Sequence, residues 1–399
     1  MAAGIDSSNV DALTARWSVQ SAAPFSSTPA IVGNVIYTTN GKSLIAVDLQ
    51  SGKTLWRFDD IPNSYGALLT SAVAVDPVTH AAYYGTPDAR VYAVNTETHQ
   101  EMWTVQLGDP AQGAFIWDSP LLVNGKLYIG LASHQDSPCV RGAAYALDPA
   151  TGHIIWTHFT TPAGTIGGGI WSSIEADPSS RTVIITTGNP CPQGPSIAED
   201  DSIIGLNWDT GARLWQFAAI EHDNCDCDFG QGAVVFVYNG KKYVVAGSKS
   251  GVEYAISPPA TPDHAPTPLW SLRLTGAGYL GSGGVYQPPT YHDGLLFFDG
   301  GPTPDGVCPR AALWAVDAET GAPRWRHCMA DQSVGPTALS NDILFASDTH
   351  SLKAYQAQSG KLLWETPIAG PLWGGIAIAH GTVVIGTVPG VLRAYTVPQ

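Results

Sequence analysis

The sequence predicts an all-β protein that folds as an eight-bladed β-propeller. A phrase ending in Trp recurs along the whole chain, most copies carry a Thr-Gly or Ser-Gly turn, and the last copy stops before its Trp whereas the chain opens on an unpaired one. Repeats of short strands spaced about 40 to 60 residues apart are typical of propeller blades. The 43 Gly and 30 Pro residues, with 13% charged residues, also favour strands and tight turns over helices.

Each copy of the phrase predicts two strands joined by a turn. Apolar residues alternate up to the turn, and the Trp closes the second strand. The copies are LIAVDLQSGKTLW, VYAVNTETHQEMW, AYALDPATGHIIW, IIGLNWDTGARLW, LWAVDAETGAPRW and LKAYQAQSGKLLW, with a degraded copy ending at Trp270. A further strand pair precedes each copy, so the unit has four strands. We expect these sheets to pack radially, with the repeated Trp residues between neighbouring blades.

The two ends of the chain predict how the ring closes. The opening LTARW supplies Trp17, and the final GTVVIGTVPGVLRAYTV lacks a Trp. We expect the N-terminal strand to pair with the C-terminal strands and complete the eighth blade. The sequence therefore predicts a single propeller domain over residues 1–399.

The composition excludes some classes of binding partner. A formal charge of −15 argues against nucleic acid and anionic membrane surfaces, which need basic patches. No apolar run reaches the length of a membrane span, and MAAGIDSSNV lacks the pattern of a signal peptide. Six cysteines suit an oxidising compartment, so we expect a secreted or periplasmic protein.

The cysteines leave several pairings open. No CxxCH haem motif is present, and the Cys225-x-Cys227 spacing disfavours structural zinc. Cys225 and Cys227 would pair with Cys139 or Cys191 and join neighbouring rim loops. Cys308 and Cys328 flank one blade and would pair with each other.

Three irregular stretches mark the candidate site. They are GTIGGGIWSSIEADPSSRTVIITTGNPCPQG, HDNCDCDFG and VVAGSKSGVEYA. They fall in consecutive blades, and each leads into or out of an innermost strand. We therefore expect Trp171, Asn189, Asp228 and Lys249 to face one end of the central channel.

These stretches resemble the pyrroloquinoline quinone (PQQ)-dependent dehydrogenases, and most closely their polyvinyl-alcohol-dehydrogenase-like branch. The resemblance covers nearly the whole chain. It implies that Trp171 lies beneath the quinone ring, that Asn189 is a calcium ligand, that Asp228 is the catalytic base and that Lys249 lies near the quinone oxygens. Trp gives a large stacking surface, and calcium prefers oxygen ligands.

The resemblance extends to further site assignments. We assign Gly169, Arg141 and Trp373 to the cofactor pocket beside Trp171 and Lys249. Asp136 substitutes for the family's glutamate calcium ligand, which is missing from SHQDSPCVRG, and Asp228 also joins the metal set. The family's cofactor-binding Arg of the second blade has no counterpart in YGALLTSAVAVD.

Three functions follow from these observations. The first is a quinoprotein that oxidises an alcohol by hydride transfer to PQQ with calcium, passing electrons to a separate acceptor because no haem domain is fused. The second, motivated by the missing Glu and Arg, is an enzyme that has lost PQQ and uses the pocket for another small-molecule reaction. The third is a non-catalytic propeller scaffold, as in the outer-membrane assembly lipoproteins.

Overall fold

The structure, a computed structural model, describes residues 4–41, 43–59, 70–135, 137–195, 197–262, 264–278 and 282–398. Eight antiparallel sheets each contribute four strands to a blade, so the predicted eight-bladed propeller is confirmed. Blades 1 to 4 contain β2 Ala30–Val32, β3 Val35–Asn40, β4 Ser43–Asp48 and β5 Thr54–Phe58; β6 Ala74–Asp76, β7 Ala81–Gly85, β8 Arg90–Asn95 and β9 Glu101–Gln106; β11 Leu121–Val123, β12 Lys126–Ser133, β13 Ala143–Leu147 and β14 Ile154–Phe159; and β16 Glu175–Asp177, β17 Thr182–Thr186, β20 Ser202–Asn207 and β21 Arg213–Ala218.

Blades 5 to 8 repeat the same order, from the innermost to the outermost strand. They contain β23 Val234–Tyr238, β24 Lys241–Gly247, β25 Val252–Ser257 and β26 Thr267–Arg273; β27 Thr290–His292, β28 Leu295–Gly300, β29 Ala311–Asp317 and β30 Pro323–Met329; β31 Ala338–Ser340, β32 Ile343–Ser347, β33 Ser351–Gln356 and β34 Leu362–Pro367; and β35 Ala377–Ala379, β36 Thr382–Gly386, β37 Val391–Thr396 and β1 Thr14–Gln20.

Short elements lie at the rim, in addition to the four strands of each blade. They are β10 Ala114–Phe115, which extends blade 3, the pairs β15 Ile166–Gly167 with β18 Pro190–Cys191 and β19 Gly194–Pro195 with β22 His222–Asp223, and the 3₁₀ turns Val10–Ala12 and Pro110–Gln112. Within the described residues, no helix is long and apolar enough to cross a membrane.

The ring closes as the sequence predicts. Strand β1 pairs with β37 in an antiparallel register that sets Trp17 opposite Ala394. The first strand of the chain is therefore the outermost strand of blade 8, and the two ends of the chain share one sheet. This pairing joins blade 8 to blade 1 because Trp17 Nε1 donates to Leu49 O, 2.9 Å away in blade 1.

The repeated Trp residues are interblade contacts, which confirms their predicted role as scaffold. Trp325 Nε1 donates to Ala357 O of the next blade at 2.9 Å. The indole packs against Gly360, where a Cβ atom would lie 2.7 Å from the ring. Gly360 also has a φ of +70°, which glycine adopts without strain. The same Trp–carbonyl bond recurs from Trp103, Trp156 and Trp270.

The disulfides correct one prediction and confirm another. Cys225 and Cys227 bond to each other instead of to a neighbouring rim loop, and Cys139 bonds to Cys191. The Asp223 carboxylate accepts the backbone N–H groups of both Cys225 and Cys227, which turns the chain back on itself and brings the two thiols together. Cys308 and Cys328 pair as predicted.

Candidate active site

A cleft of about 350 Å³ lies at one end of the central channel, where the three irregular stretches meet. Ser133, Asn189 and Lys249 line it from the ends of second strands, and Trp171 and Asp228 line it from the segments before first strands. Because these two strands of a blade are antiparallel, both positions lie on the same face of the ring. The structure thus brings together the four residues that the sequence places at one channel end.

The aromatic residues of the channel share one position in their blades. Trp117, Trp171, Tyr286 and Trp373 each stand four residues before the innermost strand of blades 3, 4, 6 and 8. The first three also line a second cavity of about 350 Å³ further along the channel, and Trp373 lines only that second cavity. These rings therefore form a layer between the two cavities.

Asp228 is the central polar group of the cleft. Its side chain is buried, and its two carboxylate oxygens have different neighbours. Oδ2 accepts a hydrogen bond from Trp171 Nε1 at 2.9 Å, and Oδ1 lies 2.7 Å from Lys249 Nζ. The glycine at 188 leaves room for this carboxylate, since a Cβ atom there would lie 3.1 Å from Oδ2.

Lys249 joins the carboxylates to the aromatic layer. Its Nζ lies 2.8 Å from Asp226 Oδ1 and 4.7 Å from the centre of the Trp171 ring. Burial alone would lower the pKa of Lys249, but the charges of Asp228 and Asp226 raise it above its usual value. Lys249 is therefore an ammonium ion at neutral pH.

Asn189 and Gly169 also line the cleft. Asn189 Nδ2 donates to Pro190 O at 3.2 Å, which leaves Oδ1 as the atom it can offer a metal. Gly169 O accepts from Gly188 N at 2.7 Å, so these two glycines hold the backbone close against the pocket wall. Backbone without side chains at these positions lets a flat ligand approach.

Two other predicted residues are placed away from the cleft, and a third is not described. The Arg141 guanidinium is turned away from the cleft, because its Nε donates to Thr161 O at 2.6 Å and its charge lies 4.0 Å from the centre of the Phe159 ring. Trp373 faces the second cavity, as described above. Asp136 lies outside the described residues.

Two residues that line the same cleft, Trp117 and His134, were not among those predicted from the sequence. Their rings are nearly parallel, at an angle of 4° and a centroid distance of 6.0 Å, and burial lowers the pKa of His134. The signal for Trp117 was present in the alignment of repeats, since FIWDSP and GIWSS hold Trp at the same blade position. His134 breaks no pattern that the repeat defines, so no comparable signal existed.

A buried acid lies behind the cleft. Asp201 is fully buried in the turn before β20, and both of its carboxylate oxygens lack a hydrogen-bond partner among the described residues. Burial, followed by the charges of Asp223 and Asp228, raises the pKa of Asp201 to about 9. Asp201 therefore holds a proton at neutral pH.

Comparison with known proteins assigns the sequence to a family. The family described as glucose/ethanol/alcohol dehydrogenase, β-propeller domain, matches residues 1–257. The chain belongs to this family. The outer membrane protein assembly factor BamB family matches residues 309–397. Among the cleft residues named above, only Tyr286 lies outside the dehydrogenase match.

Curated relatives and solved structures agree with the family. The polyvinylalcohol dehydrogenase of Sphingopyxis sp. (strain 113P3) is 24% identical over 96% of this chain and 68% of its own length. The quinoprotein alcohol dehydrogenase PedH of Pseudomonas putida is 25% identical over 92% of this chain and 72% of its own. The crystal structure of quinohemoprotein alcohol dehydrogenase from Comamonas testosteroni superposes with a TM-score of 0.80 at 18% identity, covering 98% of this chain and 78% of that one. The predicted family, and with it an enzyme of the alcohol dehydrogenase class, is confirmed.

The cleft fits the groups that the family implies. The Trp171 face, the Lys249 ammonium and the side-chain-free backbone at Gly169 suit a flat anionic quinone. Oxygen atoms of Asn189 and Asp228 line the same cleft, which is the donor type that a hard cation prefers.

Proposed function

We propose that this protein is a quinoprotein dehydrogenase that oxidises an alcohol in the cleft. The observation that carries the proposal is the contact of one buried carboxylate, Asp228, with both the Trp171 indole and the Lys249 ammonium, in a chain of this family. The match of residues 1–257 favours an enzyme over a scaffold, since it contains all three of these residues.

In this proposal Asp228 is the general base. Its buried carboxylate would accept the proton of the substrate hydroxyl, a role that contributes roughly 10² to 10⁴ in rate. The Trp171 N–H fixes Oδ2, so Oδ1 is the atom that receives the proton. Lys249 would release its ion pair with Oδ1, keep its ion pair with Asp226 and direct its charge at the ligand, where it stabilises developing negative charge.

Trp171, Gly169 and Lys249 would hold PQQ, and Asn189 with Asp228 and Asp136 would hold calcium. When bound, PQQ supplies the acceptor of the hydride and calcium supplies Lewis-acid polarisation. Trp117 and His134 would form a further wall of the cleft and restrict access of water.

The proposal includes a separate electron acceptor, which would take up the electrons of the oxidised alcohol. It also includes a secreted or periplasmic location. Three disulfides support that location, since such cross-links persist in oxidising compartments.

A titration tests the proposal directly. Purified protein receives PQQ with calcium, calcium alone, or PQQ with a chelator, while the melting temperature and the quinone absorbance are followed. We expect a rise in melting temperature and a quinone band with PQQ plus calcium, together with dye-linked oxidation of primary and secondary alcohols. Absence of both spectral and thermal shifts would overturn the proposal.

One observation favours a second candidate, an enzyme that uses the same cleft without PQQ. Lys249 covers the Trp171 face and holds both acids, so the site is already charge-paired without a cofactor. Turnover of a small molecule by extensively dialysed protein, lost in Asp228→Asn, would support this candidate. Unchanged turnover in that variant would exclude it.

A further inference from the structure

Lys249 has two carboxylate partners, although one would neutralise its charge. Asp226 Oδ1 lies 2.8 Å from Lys249 Nζ, compared with 2.7 Å for Asp228 Oδ1. All three side chains are nearly buried, with exposures of 6% for Asp226, 2% for Asp228 and 14% for Lys249. The proposed reaction gives Asp226 no chemical role, so its second ion pair requires another explanation.

The second ion pair fixes the direction of the Lys249 side chain. A lysine is a compact charge on a flexible stem, so a single partner leaves it free to turn. Asp228 is itself held by Trp171 Nε1, and Asp226 approaches from a different point of the chain. Between these two carboxylates, Nζ lies 4.7 Å from the centre of the Trp171 ring.

Asp226 has an unusual backbone conformation, and the loop that contains it is cross-linked. Its φ is +53°, in the left-handed region that residues other than glycine seldom adopt. The Cys225–Cys227 disulfide joins the residues on its two sides. The buried Asp223 carboxylate accepts the N–H groups of both cysteines, at 2.9 to 3.0 Å. The loop thus encloses Asp226 and restricts where its carboxylate can point.

We propose that Asp226 is a positioning residue that holds Lys249 over the Trp171 ring, and that the Cys225–Cys227 disulfide holds Asp226 in the orientation that this contact requires. The inference rests on the proposed function only for the task of Lys249, which is to face the ligand on Trp171. The positioning itself is a property of the protein without cofactor or substrate.

Lysine acylation in cofactor-free protein tests this proposal. The protein is treated briefly with an N-hydroxysuccinimide acetate, and the acetylation rate of each lysine is measured by mass spectrometry. Acylation of Lys249 requires its ammonium group to lose a proton to solvent and its nitrogen to leave the two carboxylates, and N-hydroxysuccinimide is the leaving group. Lys353 is a matched internal control, since it is 13% exposed and pairs with the buried Asp348 at 2.6 Å.

We expect Asp226→Asn to raise the acetylation rate of Lys249 about tenfold, the factor that a hydrogen bond to a charged group contributes. The rate of Lys353 stays unchanged. Asp226→Glu retains the charge that favours the ammonium form and should still give an intermediate rate for Lys249, which separates the position of the carboxylate from its charge and keeps the test valid if Asp226→Asn folds poorly. A wild-type rate for Lys249 in both variants, or an equal rise for Lys249 and Lys353, would overturn the role of Asp226.

Paired cysteine variants test the disulfide. Cys225→Ser/Cys227→Ser should raise the Lys249 rate, whereas Cys308→Ser/Cys328→Ser removes the disulfide of blade 6 and should leave it unchanged. Equal Lys249 rates in the two double variants would overturn the role of the Cys225–Cys227 bond. Since no PQQ or alcohol is present, these outcomes are independent of whether the protein oxidises alcohols.

Discussion

The turns after the second strands of blades 5 and 8 have the same backbone and different side chains. In blade 5, Ser248 N bonds to Val252 O and Gly251 N bonds to Ser248 O. In blade 8, Thr387, Val391 and Gly390 make the same two bonds, and φ is +83° at Gly251 and +86° at Gly390. The repeat therefore builds one turn in both blades.

The same comparison extends to the segments that these turns contact. Lys249 N donates to Asp228 O at 2.8 Å, and Val388 N donates to Pro371 O at 3.0 Å. Asp228 and Pro371 each stand six residues before the innermost strand of their blade. Blade 5 thus places a buried ion pair where blade 8 places two apolar residues, so the candidate site is a change of side chains on an unchanged scaffold.

The largest expected effect on activity comes from removing the Asp228 carboxylate of blade 5. We expect Asp228→Asn to lower kcat for alcohol oxidation by about 10² to 10⁴, because the general base is lost. Dye-linked oxidation after reconstitution with PQQ and calcium measures the effect. The control is Asp348→Asn, which breaks a buried Lys–Asp pair of blade 7 away from the cleft. Equal losses in the two variants would contradict the assigned role.

The lysine gives the next largest effect. Lys249→Met keeps much of the side-chain length without its charge, and we expect kcat to fall by about 10² to 10³, as for loss of a donor to developing negative charge. Val388→Thr alters the matching turn residue of blade 8 and should leave kcat unchanged. If Lys249→Met changes only KM, the lysine acts in binding and not in the chemical step.

Two tryptophans sharpen the contrast between site and scaffold. We expect Trp171→Leu to weaken PQQ binding about tenfold or more, because a stacking face contributes on the order of 1 to 3 kcal/mol. Trp325→Leu, at an interblade contact, should lower the melting temperature and leave the PQQ dissociation constant unchanged. Binding measured from the quinone absorbance distinguishes the two; a similar loss of affinity in both variants would refute the distinction.

The last prediction concerns the pH dependence of stability and not catalysis. The pKa of Asp201 is about 9 in the folded protein, above its ordinary value, so between about pH 4 and pH 9 the folded protein holds a proton that the unfolded chain has released. The stability linked to this group is therefore fully present at low pH and is lost as the pH rises through that window. Asp201→Asn should remove this dependence, so the stability of the variant relative to the wild type should rise steadily between about pH 4 and pH 9, with little difference near pH 4. If the melting temperatures of the variant and the wild type change with pH in the same way across this range, the raised pKa of Asp201 is contradicted.

Part of the site was predictable because it interrupts a strong repeat. Trp171, Asp228 and Lys249 stand where the blade pattern is broken, and the segments around them resemble a known family. Trp117 was predictable in principle, since it occupies the same blade position as Trp171. Asp226 was not singled out, because a run of polar residues in HDNCDCDFG does not specify which carboxylate reaches Lys249.

The sequence alone determined the eight blades, the closure through Trp17 and the interblade role of the repeated tryptophans, because each depends on a local pattern that recurs along the chain. The single domain over residues 1–399 stays a prediction. Only the tertiary structure decided that Cys225 bonds to Cys227, that Arg141 turns to Thr161 and that Lys249 lies between two carboxylates. These contacts depend on side-chain directions between loops of neighbouring blades, and no periodicity of the sequence encodes them.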